Sequence, residues 1–271
     1  MPTPKHRLQW WLSAIEWDGE RTKETGKGIR IAVLDSGIDA SHPDLAGRIE
    51  GEYKVSGLEK EAQSSKLHGT AVAGILAGSP SHEKGILGVA VKASILSIDV
   101  TDNENGKLET EHLIEGIRYA ISQSVDIINI SAGVKNHSEE LYKAVKEAYE
   151  AGIVMVAASG NYMNGDLLYP AKYEEVLAAG AVSRGNAVIS PTGIIEKKII
   201  YLPGEDIVTT SADGGYAGIS GTSASTPILS GVIALMMEKD RTLTNDKIIT
   251  YFNQCKKTTI KVRDCIELKY K

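Results

Sequence analysis

Short runs of β-branched residues alternate with longer segments of helical periodicity, and this alternation restricts the fold more than any other feature of the sequence. Buried strands are predicted at 31–34, 94–100, 127–130, 153–157 and 176–181. Helices are predicted at 68–77, 109–122, 138–151 and 222–239. Strands and helices in alternation build a parallel sheet covered by helices on both faces. We therefore expect an α/β fold of three layers with a mostly parallel sheet.

No repeat, low-complexity tract or linker divides the chain, so residues 1–271 are expected to form a single domain. The segment 194–200 is apolar and basic and is interpreted as a hairpin.

Thirty Lys and Arg stand against thirty-five Asp and Glu, and this net charge of −5 disfavours nucleic acid and anionic membranes as partners. The longest apolar runs fall well short of the roughly 20 residues that span a bilayer.

The first residues are basic but are not followed by the apolar stretch and cleavage site of a secretory signal. A cytoplasmic protein is therefore expected, and a secreted one is the alternative if the given start is a processed or engineered one. Cys255 and Cys265 fit no metal-ligand spacing. Two free thiols are the preferred interpretation, and a disulfide closing this small loop is the alternative in an oxidising compartment.

Three polar side chains stand where a parallel sheet places its functional site, in loops at the carboxyl ends of strands. Asp35 follows the first predicted strand, His68 opens a helix of small residues, and Ser223 begins a long apolar helix. Imidazole can take and return a proton near neutral pH, and the N–H groups at a helix start can stabilise an oxyanion. Taken singly, each has a simpler interpretation as a turn aspartate, a packed histidine or an N-capping serine.

The flanks of these residues, in this order, carry a specific resemblance that covers about residues 28–237. The chain resembles the subtilisin-like serine proteases, or subtilases (peptidase family S8). Five segments in family order support it: VLDSGIDASHPDL at 33–45, HGTAVAG at 68–74, AASGN at 157–161, YPAKY at 169–173 and GTSASTP at 221–227.

The resemblance implies a catalytic triad and an oxyanion hole. Ser223 would be the nucleophile, His68 the general base and then acid, and Asp35 the group that holds the imidazole in its productive tautomer. Asn161 matches the amide that stabilises the tetrahedral intermediate, together with the backbone N–H of Ser223. No cofactor is required for this chemistry.

A substrate cleft is implied as well, in which an extended peptide or protein segment adds as a strand. Ser131, Ala132 and Gly133 match the segment whose backbone pairs with the substrate, and Gly106 is expected to begin the opposite wall. Leu168 aligns with the floor of the primary specificity pocket. Together with Tyr162, which follows the oxyanion asparagine, it suggests a shallow apolar pocket.

An acidic cluster surrounds Gly106, consisting of Asp99, Asp102, Glu104, Glu109 and Glu111. Either it favours basic residues in the substrate or it is a solvated charged loop.

One departure from the family concerns calcium. Asp44 matches an aspartate that binds a structural calcium in many relatives. The loop that would complete the site reads Ser-Pro-Ser-His-Glu-Lys over 79–84, and its histidine and lysine are poor partners for a hard cation. We expect the strong site to be lost or greatly weakened and retain Asp44 as a candidate ligand.

The sequence thus predicts a monomeric serine endopeptidase that acts through an acyl-enzyme. A dedicated processing protease, for example one removing the leader from a modified peptide precursor, is preferred over a general intracellular subtilisin. A catalytically silent peptide-binding relative would be expected to lack a triad residue, and none is missing. An α/β-hydrolase esterase is disfavoured because the serine lies in Gly-Thr-Ser-Ala-Ser and not in Gly-x-Ser-x-Gly.

Overall fold

A computed structural model of the protein describes residues 9–17, 23–57, 66–83, 85–102, 107–161, 165–189, 199–255 and 261–267. The strands are β1 Arg30–Asp35, β2 Ile49–Lys54, β3 Ser94–Asp99, β4 Thr101–Asp102, β5 Lys107–Leu108, β6 Ile127–Ile130, β7 Val154–Ala158, β8 Val176–Val182, β9 Ile199–Pro203, β10 Ile207–Thr210 and β11 Tyr216–Ile219. The helices are α1 Trp10–Ala14, α2 Leu67–Ala77, α3 Thr110–Ser122, α4 Glu139–Glu150, α5 Thr222–Lys239, α6 Asn245–Gln254 and α7 Val262–Ile266.

Seven strands form one sheet in the order β2-β3-β1-β6-β7-β8-β9. Every pairing in it is parallel, which confirms the predicted sheet. Two small antiparallel pairs, β4–β5 and β10–β11, lie outside it. In a parallel sheet all carboxyl ends lie at one edge, so the residues that follow β1, β6 and β7 meet there.

Successive side chains of a strand point to opposite faces, and β1 shows how this builds two cores. Ile31 and Val33 pack among residues of α2 and α5, whereas Ala32 and Leu34 pack among residues of α3 and α4. All four side chains are at most 1% exposed. The sheet is therefore covered on both faces, as the alternation in the sequence predicted.

Helix α2 packs closely because its residues are small. A Cβ at Gly74 would lie 2.2 Å from Oγ1 of Thr210 in β10, so only glycine permits this approach. The Thr210 hydroxyl donates to the carbonyl of Thr70 at 2.7 Å, and the Thr209 hydroxyl donates to that of Ala71 at the same distance. These contacts fix the first half of α2 relative to β10.

The structure contains elements that the strand and helix patterns did not predict, namely α1, β2, β4, β5, β9, β10, β11, α6 and α7. Residues 199 and 200 of the segment interpreted as a hairpin begin β9, which pairs parallel with β8. The rest of that segment lies outside the described residues. Within the described ranges, no helix is both long and apolar enough to cross a membrane.

Candidate active site

Asp35 ends β1 at the carboxyl edge of the sheet and is 2% exposed. Its Oδ1 accepts the backbone N–H of Ser36 at 2.7 Å. Both of its oxygens lie within hydrogen-bonding distance of Nδ1 of His68, at 2.8 and 2.9 Å. A carboxylate only accepts, so Nδ1 carries the proton in this contact and Nε2 keeps its lone pair in the neutral ring.

His68 lies in the first turn of α2, and its side chain is 43% exposed. The Asp35 carboxylate raises the pKa of His68 by charge attraction, burial opposes this shift, and the hydrogen bond between the two adds to it. The backbone at the start of α2 lies unusually close to the turn that follows β1, because a Cβ at Gly69 would lie 2.0 Å from the carbonyl oxygen of Gly37. Gly37 itself has φ +77°, a conformation that favours glycine. These two glycines let the start of α2 approach the end of β1.

Ser223 is the second residue of α5 and is half-buried. The turn before it is held by Gly221, which has φ +114° and donates its N–H to the carbonyl of Gly204 at 2.7 Å. The first N–H groups of a helix have no partner within that helix, so the backbone around Ser223 presents donors. Helix α2 packs against α5, so the elements that carry His68 and Ser223 are neighbours.

Asn161 follows β7 and is held by the start of α5. Its Oδ1 accepts the backbone N–H of Thr222 at 2.9 Å and the Thr222 hydroxyl at 3.1 Å. The N–H of Gly160 in turn donates to that hydroxyl at 3.2 Å. Because Oδ1 is occupied by these donors, the amide orientation is fixed, and Nδ2 makes no hydrogen bond to any residue within the described ranges. Nδ2 is therefore available as a donor beside the residue that precedes Ser223.

Ser131, Ala132 and Gly133 leave the carboxyl end of β6. The hydroxyl of the buried Ser131 accepts from Nδ2 of Asn129 at 3.1 Å, which anchors the start of the segment. A Cβ at Gly133 would lie 2.7 Å from Cβ of Leu168, so the half-buried leucine is in close contact with this glycine. The structure thus brings Leu168 and the predicted substrate strand together.

Some predicted cleft residues are not placed. Gly106, Tyr162 and Glu104 lie outside the described residues, and the side chain of Asp102 is not described either. Asp99, a member of the acidic cluster, forms an ion pair with Lys54 at 3.6 Å.

Asp44 is fully buried, and its carboxylate is surrounded by protein donors. Oδ1 accepts the N–H and the hydroxyl of Ser81, each at 2.7 Å. Oδ2 accepts the N–H of Ile86 at 2.8 Å and the hydroxyl of Tyr216 at 2.9 Å. Although burial alone would raise it, these hydrogen bonds hold the pKa of Asp44 below its usual value. Four N–H and O–H groups occupy the directions in which a cation would bind, so the residues present do not fit calcium.

Reasoning from the sequence missed two residues that support the site. Thr222 orients Asn161, and the Ser36 hydroxyl accepts the N–H of Gly69 at 3.2 Å, beside His68. Both are hydroxyl residues next to a candidate catalytic residue in the sequence. This adjacency is the one sequence signal from which they could have been predicted.

Known proteins similar to this chain identify its family. The sequence profile of the subtilase family matches residues 26–263. The chain belongs to the subtilase family. It is 40% identical over 220 residues to the major intracellular serine protease of Bacillus subtilis strain 168, an alignment covering 78% of this chain and 69% of that protein. Against the intracellular serine protease of Paenibacillus polymyxa it is 39% identical over 222 residues, covering 79% and 68%.

Among solved structures, this subtilase is similar to sphericase, with a TM-score of 0.80 and 28% sequence identity. The match covers 94% of this chain and 91% of sphericase. The fold is thus subtilisin-like, and the protein is a serine endopeptidase similar to intracellular serine proteases.

Proposed function

We propose that Ser223, His68 and Asp35 form the catalytic triad of this protease and that peptide hydrolysis proceeds through an acyl-enzyme. The observation that carries the proposal is the double contact of Asp35 with Nδ1 of His68, at 2.8 and 2.9 Å. This contact keeps the proton on Nδ1, so Nε2 can remove the proton of the Ser223 hydroxyl as it attacks the scissile carbonyl. The imidazolium that forms is stabilised by the buried carboxylate and then protonates the leaving amine.

Asn161 is proposed as the oxyanion donor, acting through Nδ2. Its orientation is fixed before substrate arrives, because Thr222 holds Oδ1 through two hydrogen bonds. A preorganised donor interacts with charge that develops only in the tetrahedral intermediate, so Asn161 contributes to turnover more than to binding. The backbone N–H of Ser223 is the second proposed donor.

The substrate is proposed to bind as an extended strand along Ser131–Gly133. Within the described part of the chain, the backbone groups of Ala132 and Gly133 make no hydrogen bond to another residue, so they can pair with a peptide. Leu168 in contact with Gly133 supports a shallow apolar pocket that favours small side chains before the cleaved bond.

A dedicated processing role, such as removal of a leader peptide, remains our preferred biological function. The proposed shallow pocket supports it, whereas the ion pair of Asp99 with Lys54 weakens the case for an acidic rim that selects basic substrates. A general intracellular protease is the alternative, and a silent peptide-binding relative is disfavoured by the intact Asp35–His68 contact.

The names of the two bacterial relatives support a cytoplasmic location. We propose a monomer that needs neither nucleic acid nor a membrane.

Digestion of a proteome-derived peptide library, followed by mass spectrometry, tests both activity and selectivity. We expect cleavage mainly after small residues and none by Ser223→Ala. Leu168→Gly is the matched variant for the pocket, and it should admit larger side chains before the cut. Equal cleavage after large and small residues by the unaltered protein would reject the shallow pocket and favour a general protease.

We further propose that no structural calcium is needed at Asp44, because Ser81, Ile86 and Tyr216 satisfy its carboxylate. Thermal unfolding with excess chelator should have a midpoint within about 2 °C of that with added calcium. A fall of ten degrees or more would overturn this proposal, since loss of a bound ligand lowers apparent stability by mass action.

A further inference from the structure

A second carboxylate lies beside the triad aspartate and has no role in the mechanism above. Strands β1 and β3 pair in register so that Asp99 is the partner of Asp35. Strands β2 and β3 pair so that Lys54 is the partner of Asp99. Neighbouring strands are about 4.8 Å apart, so Lys54, Asp99 and Asp35 form one row along the carboxyl edge of the sheet. His68 continues this row through its bonds to Asp35.

The side chains of this charge row, Lys54–Asp99–Asp35–His68, are partly shielded from solvent. Asp99 is 13% exposed and Lys54 is 27% exposed, and Nζ of Lys54 lies 3.6 Å from Oδ2 of Asp99. The Asp99 carboxylate lies against the turn that follows Asp35, because a Cβ at Gly37 would be 3.7 Å from Oδ2 of Asp99.

A second pair of charged side chains, Lys66 and Glu52, lies near the same turn. Lys66, just before α2, has its Cγ 3.6 Å from the position of a Cβ on Gly37, and its Nζ pairs with Glu52 of β2 at 3.3 Å. That second pair is more exposed, with side chains 39% and 50% accessible, so solvent screens it more strongly. Burial raises the pKa of Asp99, the Lys54 charge opposes this, and Asp35 adds to it, which is consistent with two neighbouring carboxylates that interact.

We propose that Asp99 and Lys54 are positioning residues of this active site, which together set the pH at which His68 becomes an effective base. The inference rests on the role proposed for His68. A negative charge at Asp99 stabilises the imidazolium through Asp35 and the intervening turn, and the positive charge of Lys54 offsets it. Neither residue touches substrate or a reacting atom in this scheme.

The charge row predicts that the pKa of His68 shifts in opposite directions in the two single variants. Asp99→Asn removes the negative charge and leaves Lys54, so the pKa of His68 and the acid limb of kcat/KM should move down by about 0.5–1 pH unit. Lys54→Met leaves Asp99 unopposed, so both should move up by a similar amount. In the double variant Asp99→Asn/Lys54→Met the two shifts should largely cancel. The plateau rate at alkaline pH should change by less than about threefold in all three.

Asp240→Asn is a matched control, since it makes the same charge change at the far end of α5, roughly 25 Å along the helix from Ser223. It should leave the acid limb within about 0.1 pH unit of its original position, because screening is nearly complete over that distance.

The measurement is made in two ways so that the outcome does not depend on proteolysis alone. NMR titration of the His68 ring in the Ser223→Ala background reports its pKa directly, and the pH profile of kcat/KM reports it in the active protein. Opposite shifts in the two single variants support the proposal. Shifts in the same direction, no shift, or a tenfold lower plateau with an unmoved acid limb would overturn it. Opposite shifts in the NMR titration without any peptidase activity would support the charge row and overturn the proposed triad function.

Discussion

Two buried aspartates nine residues apart, Asp35 and Asp44, have opposite surroundings. Asp35 accepts hydrogen bonds from one backbone N–H and from a histidine whose side chain is 43% exposed. Asp44 bonds four donors, and the Tyr216 hydroxyl among them has its pKa raised to about 12 by burial and by Asp44 itself. The first carboxylate contacts a histidine, which changes charge near neutral pH, whereas the four donors to the second are two backbone N–H groups and the hydroxyls of Ser81 and Tyr216. Their hydrogen-bond partners, and not their burial, distinguish the carboxylate proposed to be catalytic, Asp35, from the structural one, Asp44.

The largest effect that tests this contrast is expected at Asp35. Asp35→Asn keeps the size of the side chain but favours the wrong imidazole tautomer, so kcat should fall about 10⁴-fold. The pKa of His68 should also fall, because charge attraction to Asp35 is the main cause of its raised value. Steady-state kinetics and ring titration measure the two effects. Activity within tenfold of the original would mean that Asp35 has only a structural role.

Asn161→Ala should produce the next largest loss. Turnover should fall about 10²–10³-fold, the range established for the equivalent donor in subtilisin itself. KM should change little, because the donor acts on the intermediate. Thr222→Val serves as a comparison, since it removes one of the two bonds to Oδ1 while keeping the backbone N–H donor, and it should have a smaller effect. A rise in KM with unchanged kcat would assign Asn161 to binding.

At Asp44 the expected change is in stability. Asp44→Asn leaves at least two of four donors without an acceptor, so the free energy of unfolding should fall by about 2–4 kcal/mol. Chemical denaturation followed by circular dichroism measures it, with kcat of the folded protein retained within a few-fold. An unchanged denaturation midpoint together with lost activity would reverse the roles assigned to the two aspartates.

The pH dependence should separate the two carboxylates in one protein. The pKa of His68 is raised above its ordinary value of about 6.5, so activity should fall about tenfold per pH unit below a midpoint that lies above 6.5. The pKa of Asp44 is lowered, so its stabilisation is present above about pH 4 and is lost only as pH falls through the lowered value. Between these limits the protein should be folded and inactive. Unfolding that coincides with loss of activity would contradict this.

Reasoning from the sequence predicted the elements that are buried and strongly patterned. Strand β6 and helix α5 have the predicted bounds, and the other predicted strands and helices are correct to within one residue at each end. Strand β2, Ile-Glu-Gly-Glu-Tyr-Lys, was missed because it is an edge strand with polar side chains and a glycine. Helix α1 has only five residues, too few to show a period.

At the site, motifs indicated Asp35, His68 and Asn161 as candidates, but the hydrogen-bond partners of the site residues depend on distant parts of the chain. The bond from Thr222 to Asn161 spans 61 positions, and that from Tyr216 to Asp44 spans 172. The register of β3 with both β1 and β2 places Lys54 beside Asp99, and no local pattern encodes that register. Such contacts arise from the packing of whole elements, so a single sequence does not reveal them.

The most direct test of the central claim, that His68 activates Ser223 as the nucleophile, is the rate of covalent labelling by an organophosphonate as a function of pH, with the labelled residue identified by mass spectrometry. We predict one label on Ser223, none in Ser223→Ala, and a rate that rises through the same pKa that ring titration gives for His68. Labelling that persists in Ser223→Ala, or a rate on Ser223 that does not depend on the His68 titration, would contradict the account.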